Sequence, residues 1–154
     1  MQSANLIILR IPCAEARNAN AVPSRSNMFN SLEELEDYIK EEFIRFNISN
    51  WEFRWNKRAT ATLGQAFLHY KRIELSLKFV IANFDKPRII RDIILHEIAH
   101  ALAYIHKGDE GHGKDWIYYC NITGARPTRL ISEHNRIPRN TKLVIQDNNY
   151  SLSY

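Results

Sequence analysis

The sequence predicts an α+β domain in which a small antiparallel sheet packs on a buried central helix. Three observations carry this expectation: aromatic residues alternate with polar ones over 51–56, apolar residues recur at helical intervals over 31–46, and a wide apolar stripe runs over 90–105. A chain of 154 residues is long enough for one domain with a real core. Its 45% hydrophobic and 25% charged residues are those of an ordinary globular protein, which excludes collagen-like, coiled-coil and wholly disordered classes.

Taken in order, residues 1–30 hold Pro12, Pro23 and several Asn and Ser, and read as an N-terminal extension with one short strand at 5–11. Ser31 and Glu34 have the spacing of a capping box, and Leu32, Leu35, Ile39, Phe43 and Phe46 follow at helical intervals, giving an amphipathic helix over 31–46. Trp51, Phe53 and Trp55 alternate with Glu52, Arg54 and Asn56, the period of a strand with one buried face. Interleaved with Arg54, Lys57 and Arg58, these aromatics also suit base stacking, but alternation already accounts for them as core. A second strand is expected over 60–69 and a third over 72–77, with Ile73, Leu75 and Leu77 on one face.

Pro87 is placed to sit in the first turn of the central helix, along which Ile90, Ile94, Ile98, Ala101, Leu102 and Ile105 form the apolar stripe. Gly108, Gly111 and Gly113 end helical character, and a second short helix is expected over 114–122. Val144 and Ile145 suit a terminal strand.

The net charge of +4 hides an asymmetry. Residues 31–46 hold six acids against Lys40 and Arg45, and the rest of the chain then carries 19 basic and 11 acidic residues. Such a surplus is compatible with polyanion binding and equally with simple solubility. No run approaches the roughly 20 apolar residues of a membrane span, and the opening Leu6–Leu9 run lacks the flanks of a signal peptide. Cys13 and Cys120 cannot build a disulfide framework or a four-cysteine zinc ribbon, so an intracellular chain with reduced thiols is expected, in the cytoplasm or associated with nucleoid or nucleus. The glycosylation-type triplets at Asn47, Asn121 and Asn149 are then coincidental.

The chemistry lies on the central helix, in His96-Glu97-Ile98-Ala99-His100. Residues four apart on a helix lie about 40° apart around the axis and one turn along it, so both imidazoles can reach one metal ion. Glu97, about 100° from His96, points beside such an ion. Two imidazoles and a carboxylate among Ile, Leu and Ala are costly to bury unless a metal or other partners satisfy them.

A catalytic zinc takes three protein ligands and leaves a fourth position for water. His106 and His112 are the candidates for the third, with Glu110 and Asp115 as carboxylate alternatives. If the helix continues through Ala103, His106 points about 240° away from His100, whereas His112 follows glycines that let the chain turn back, so His112 is preferred.

The segments His96–Leu102, Glu110-Gly111-His112-Gly113-Lys114-Asp115-Trp116 and Gly124-Ala125-Arg126-Pro127 together resemble the SprT-like metalloprotease family, which includes the Spartan proteases. The similarity extends back to Leu63-Gly64 and Ile73-Glu74-Leu75-Ser76, and covers about 31–128 as a protease core, with 129–154 as a basic C-terminal extension. The resemblance implies a compact zincin-like domain in which His96, His100 and His112 bind one Zn2+ and Glu97 is catalytic. It also implies a protein substrate, with degradation of DNA-bound or DNA-crosslinked proteins as the activity of Spartan-type relatives. The chain departs from relatives that carry a zinc ribbon, because only Cys120 lies beyond the helix. Arg126, Arg129, Arg136, Arg139 and Lys142 offer a basic surface in its place. Trp116 is expected to pack the metal loop, and Tyr118, Tyr119 and His134 are candidates for stabilising an oxyanion.

Overall fold

A computed structural model describes residues 29–128 and 136–154. The strand expected at 5–11 lies outside them. Helix α1 spans Leu32–Arg45 and is capped by Ser31, whose Oγ accepts from the Glu34 N–H at 3.1 Å. Glu34 Oε2 accepts from the N–H of Asn30, one residue before the cap, at 2.9 Å, so the reciprocal half of the capping box is shifted by one residue. Its apolar face buries Leu35, Ile39 and Phe43.

Three strands follow, β1 Glu52–Asn56, β2 Gly64–Phe67 and β3 Arg72–Ser76, in the order β1-β3-β2. The central β3 pairs antiparallel with β2 but parallel with β1, so the sheet is mixed and the expectation of an antiparallel sheet is corrected. Side-chain alternation specifies which face of a strand is buried, not the direction of its neighbour. Here the chain reverses twice, into β2 and out of it, so β3 returns in the direction of β1 and settles beside it. The second strand is shorter than the predicted 60–69, because Leu68–Tyr70 wind into a 3-10 turn closed by Lys71 at φ 49°. The third ends at Ser76, whose hydroxyl accepts from the Phe79 N–H at 3.2 Å and caps a helix that was not anticipated, α2 Leu77–Ala82.

Helix α3, Pro87–Lys107, is the core element, with Pro87 in its first turn and Ile90, Ile94, Ile98, Ala99, Ala101 and Ala103 each no more than 1% exposed. The predicted stripe stops short of its end: Ile105 is 47% exposed, because the last turn projects beyond the core. Helix α4, Lys114–Thr123, lies against α3, and the buried Thr123 hydroxyl donates to the Leu95 carbonyl at 3.2 Å. The terminal strand is half of a hairpin, β4 Lys142–Gln146 with β5 Asn149–Ser153, turned by Asp147 and Asn148 at φ 49° and 62°. Val144 and Ile145 are exposed, while Leu152 of β5 joins the core beside α2. Among the described residues no helix is long and apolar enough to cross a membrane.

Candidate metal centre

One face of α3 builds the floor of a cleft of about 640 Å³, presenting Asp92, Ile93, His96, Glu97 and His100 to it. These positions follow from helical geometry, since 92, 96 and 100 are successive turns of one face and 93 and 97 the adjacent row. Strand β2 overhangs the floor at Gly64, Gln65 and Ala66, and the loop after α3 supplies Glu110 and His112.

Gly108 ends α3 in the left-handed region at φ 64°, a conformation that favours glycine, and so turns the chain back across the helix end. Asp109 Oδ1 accepts from the Gly111 N–H at 2.8 Å, and Glu110 meets His69 Nε2 at 2.8 Å, so two acidic side chains shape the loop that carries His112. His69 in turn contacts the Tyr104 hydroxyl at 3.2 Å, linking the turn after β2, the end of α3 and this loop.

The result is a convergence of three imidazoles. His100 Nε2 lies 3.2 Å from His96 Nε2 and 3.0 Å from His112 Nε2, and the ligand atoms of all three fall within 4.8 Å of one another. Around a tetrahedral ion with Zn–N bonds of about 2.0–2.1 Å, ligand nitrogens stand about 3.3 Å apart, so the donor set and its spacing fit zinc. Burial, reinforced by the neighbouring imidazoles, pulls His96 down to about 4 and His100 to about 3. Both rings are therefore neutral at pH 7, as a metal ligand must be. Trp116 walls the group on its protein side, with ring centroids 4.8 Å from His96, 5.3 Å from His100 and 4.6 Å from His112.

His106 stands apart from this cluster. It is exposed on the outer side of α3 and stacks on Tyr119, with centroids 5.6 Å apart at 19°. Asp115 does not line the cleft, and Glu110, which does, is bonded to His69.

Glu97 is buried beside the imidazoles, its Oε1 4.0 Å from His96 Nε2. Burial pushes its carboxyl up to about 8, against a downward pull from a hydrogen bond with the Ala66 backbone. A divalent cation on the adjacent nitrogens opposes that rise by favouring the carboxylate. Gly64 makes this placement possible: a Cβ there would stand 2.8 Å from Ile93 Cγ2 and 3.0 Å from both Glu97 Cγ and Oε1. The value of Gly64 is thus close approach of strand to helix.

The oxyanion candidates fare differently. Tyr118 is exposed and Tyr119 is buried under His106, and neither lines the cleft. His134 lies outside the described residues. Two relationships had no prior expectation: Asp92, one turn before His96, accepts from the Arg126 backbone N–H at 2.9 Å and from its Nε at 3.2 Å, and Arg136 and Arg139 line the cleft. The i−4 spacing of Asp92 from His96 was the available signal for the first.

A histidine pair one helical turn apart and a third histidine from a returning loop form a group that could hold a metal ion, with a buried glutamate beside it. The model of the SprT-like family matches residues 30–138, and the chain belongs to that family, whose members are in general metalloproteases. Over 110 residues it is 28% identical to the germ cell nuclear acidic protein of Homo sapiens, an alignment that takes in 65% of this chain and 14% of that protein. The chain thus spans a small part of the relative's length. No solved structure matches it significantly.

Proposed function

We propose that this chain is a zinc-dependent endopeptidase with a zincin-like active site, in which His96, His100 and His112 would hold the ion and Glu97 is the general base. The observation that carries the reading is the placement of a buried carboxylate beside three converging imidazoles, open to a cleft under an edge strand. Among the described residues β2 is paired on one side only, with β3, so its other edge can accept an extended peptide as an added strand. Such a peptide passes over His96 and Glu97.

Zinc bound there supplies Lewis acidity and lowers the pKa of a water to about 7. Glu97 accepts the proton of the attacking water as its oxygen adds to the scissile carbonyl. The same carboxyl then delivers that proton to the leaving amine, closing its own cycle. Asp92 lies one turn below His96, and its two bonds to Arg126 tie the segment after α4 to the cleft floor.

The finer reading is that the substrates are proteins bound or crosslinked to DNA. Family membership and the basic character of residues 124–142 support it. The test is cleavage of a protein covalently attached to DNA by the zinc-loaded chain, with free DNA added or omitted and Glu97→Gln as control. Cleavage that requires both Glu97 and DNA is expected. Glu97-dependent cleavage indifferent to DNA makes this a peptidase of another substrate, and salt-dependent DNA binding without cleavage makes it a non-catalytic zinc domain.

A further inference from the structure

Most charged groups that line the cleft are already engaged. Asp92 is held by Arg126, Glu110 is bonded to His69, and Glu97 sits buried at the floor. Arg136 and Arg139 differ: both line the cleft, both are exposed, and among the described residues neither has a carboxylate within ion-pair distance.

Their segment has a defined shape. Ile137, between them, is half-buried and lines the same cleft. Just beyond, the Thr141 N–H donates to the Pro138 carbonyl at 3.1 Å, closing a turn that contains Arg139, and Thr141 itself is only 2% exposed. Arg139 is thus presented from a closed turn and Arg136 stands beside the half-buried Ile137, which lowers the conformational entropy lost when a ligand engages Arg139.

We propose that Arg136 and Arg139 form a subsite for an acidic side chain of the polypeptide substrate. The proposal rests on the peptidase reading of the cleft and adds its substrate class. A guanidinium presents a planar fork of donors that matches a carboxylate. The space favours a peptide: about 640 Å³, shared with the candidate metal ligands, accommodates a short run of side chains, whereas a nucleic-acid duplex carries its phosphates on a surface far too wide to enter. A dication held by the three imidazoles would add positive potential to the same cleft, which strengthens selection for negative side chains.

The test separates binding from turnover. Zinc-loaded Glu97→Gln protein is immobilised and exposed to a pool of random-sequence dodecapeptides, and the retained peptides are sequenced. Retained peptides are expected to be enriched about threefold to fivefold in Asp and Glu over the input, the size of effect exposed ion pairs produce. The enrichment is expected to vanish in Glu97→Gln carrying Arg136→Gln and Arg139→Gln, and to survive largely in the Lys pair, with thermal unfolding unchanged in both. No enrichment, or enrichment that persists in the Gln pair, overturns the proposal. So does retention of a single-stranded oligonucleotide that depends on the arginines while peptides show no acidic bias, because the pair then reads phosphate. Arginine-dependent enrichment by a chain whose wild type cleaves none of the retained peptides upholds the subsite and defeats the peptidase reading alone.

Discussion

The indole of Trp116 lies nearly parallel to the imidazole of His100, their centroids 5.3 Å apart at 23°. The same indole meets His96 and His112 edge-on, so one side chain from α4 sets the rotational freedom of three rings carried by two other segments. Its Nε1 is buried and has no hydrogen-bond partner among the described residues. Trp116→Phe is therefore expected to lose packing area without leaving a new polar group unsatisfied, and to weaken zinc retention by about 10–100-fold, the range for groups that orient metal ligands. Competition with a chelator measures this. Trp116→Ala is expected to cost about 3–5 kcal/mol of stability as well, read by denaturant unfolding.

Glu97→Gln separates ligation from catalysis. The variant is expected to retain stoichiometric zinc by metal analysis while peptide cleavage falls by at least about 10²–10⁴-fold, the usual contribution of a positioned acid–base group. Loss of zinc from this variant places Glu97 among the ligands.

Gly64→Ala tests the close approach of β2 to the helix. The added methyl meets Ile93 and Glu97 at 2.8–3.0 Å, so either the strand lifts or the carboxylate moves. Destabilisation of about 1–3 kcal/mol is expected, with activity falling further than zinc content. Equal activity per zinc in variant and wild type shows that Glu97 tolerates displacement.

The third ligand separates by substitution too. His112→Ala is expected to lose most bound zinc, and His106→Ala to retain it, since His106 stacks on Tyr119 outside the cluster. Inductively coupled plasma metal analysis of both variants decides the assignment.

The pH dependence of the metal-free protein follows from opposed shifts. His96 and His100 fall from 6.5 to about 4 and about 3, so between those values and 6.5 the unfolded chain binds more protons, and stability is lost as pH falls below about 6.5. Glu97 rises from 4.5 to about 8, so the folded protein holds its proton over that interval, and stability is lost as pH rises through it. With two groups acting on the acid side and one on the alkaline side, maximum stability is expected near pH 6.5. Urea unfolding in the presence of a chelator between pH 4.5 and 8.5 measures it, and Glu97→Gln is expected to flatten the alkaline limb.

The convergence of the three histidines was legible because it is encoded at helical spacing: His96, Glu97 and His100 are placed by α3 alone, and Gly108 announces the turn that brings in His112. What escaped prediction depends on contacts distant in sequence. The run Leu77–Ala82 is apolar and rich in residues that suit a strand, and only the Ser76 cap distinguishes the helix it forms. The parallel pairing of Trp55 with Leu75 has no local signature, since both strands alternate alike in either direction. The presence of Arg136 and Arg139 in the cleft depends on how the C-terminal hairpin docks through Leu152, some fifteen residues further on. The exposed placement of Tyr118 is likewise a property of how α4 rotates to bring Trp116 inward.

His96 and His100 share a buried helix, while His112 comes from a glycine-bounded loop tied through Glu110 to His69, so two of the trio are set by one helix backbone and the third by a tether between segments distant in sequence.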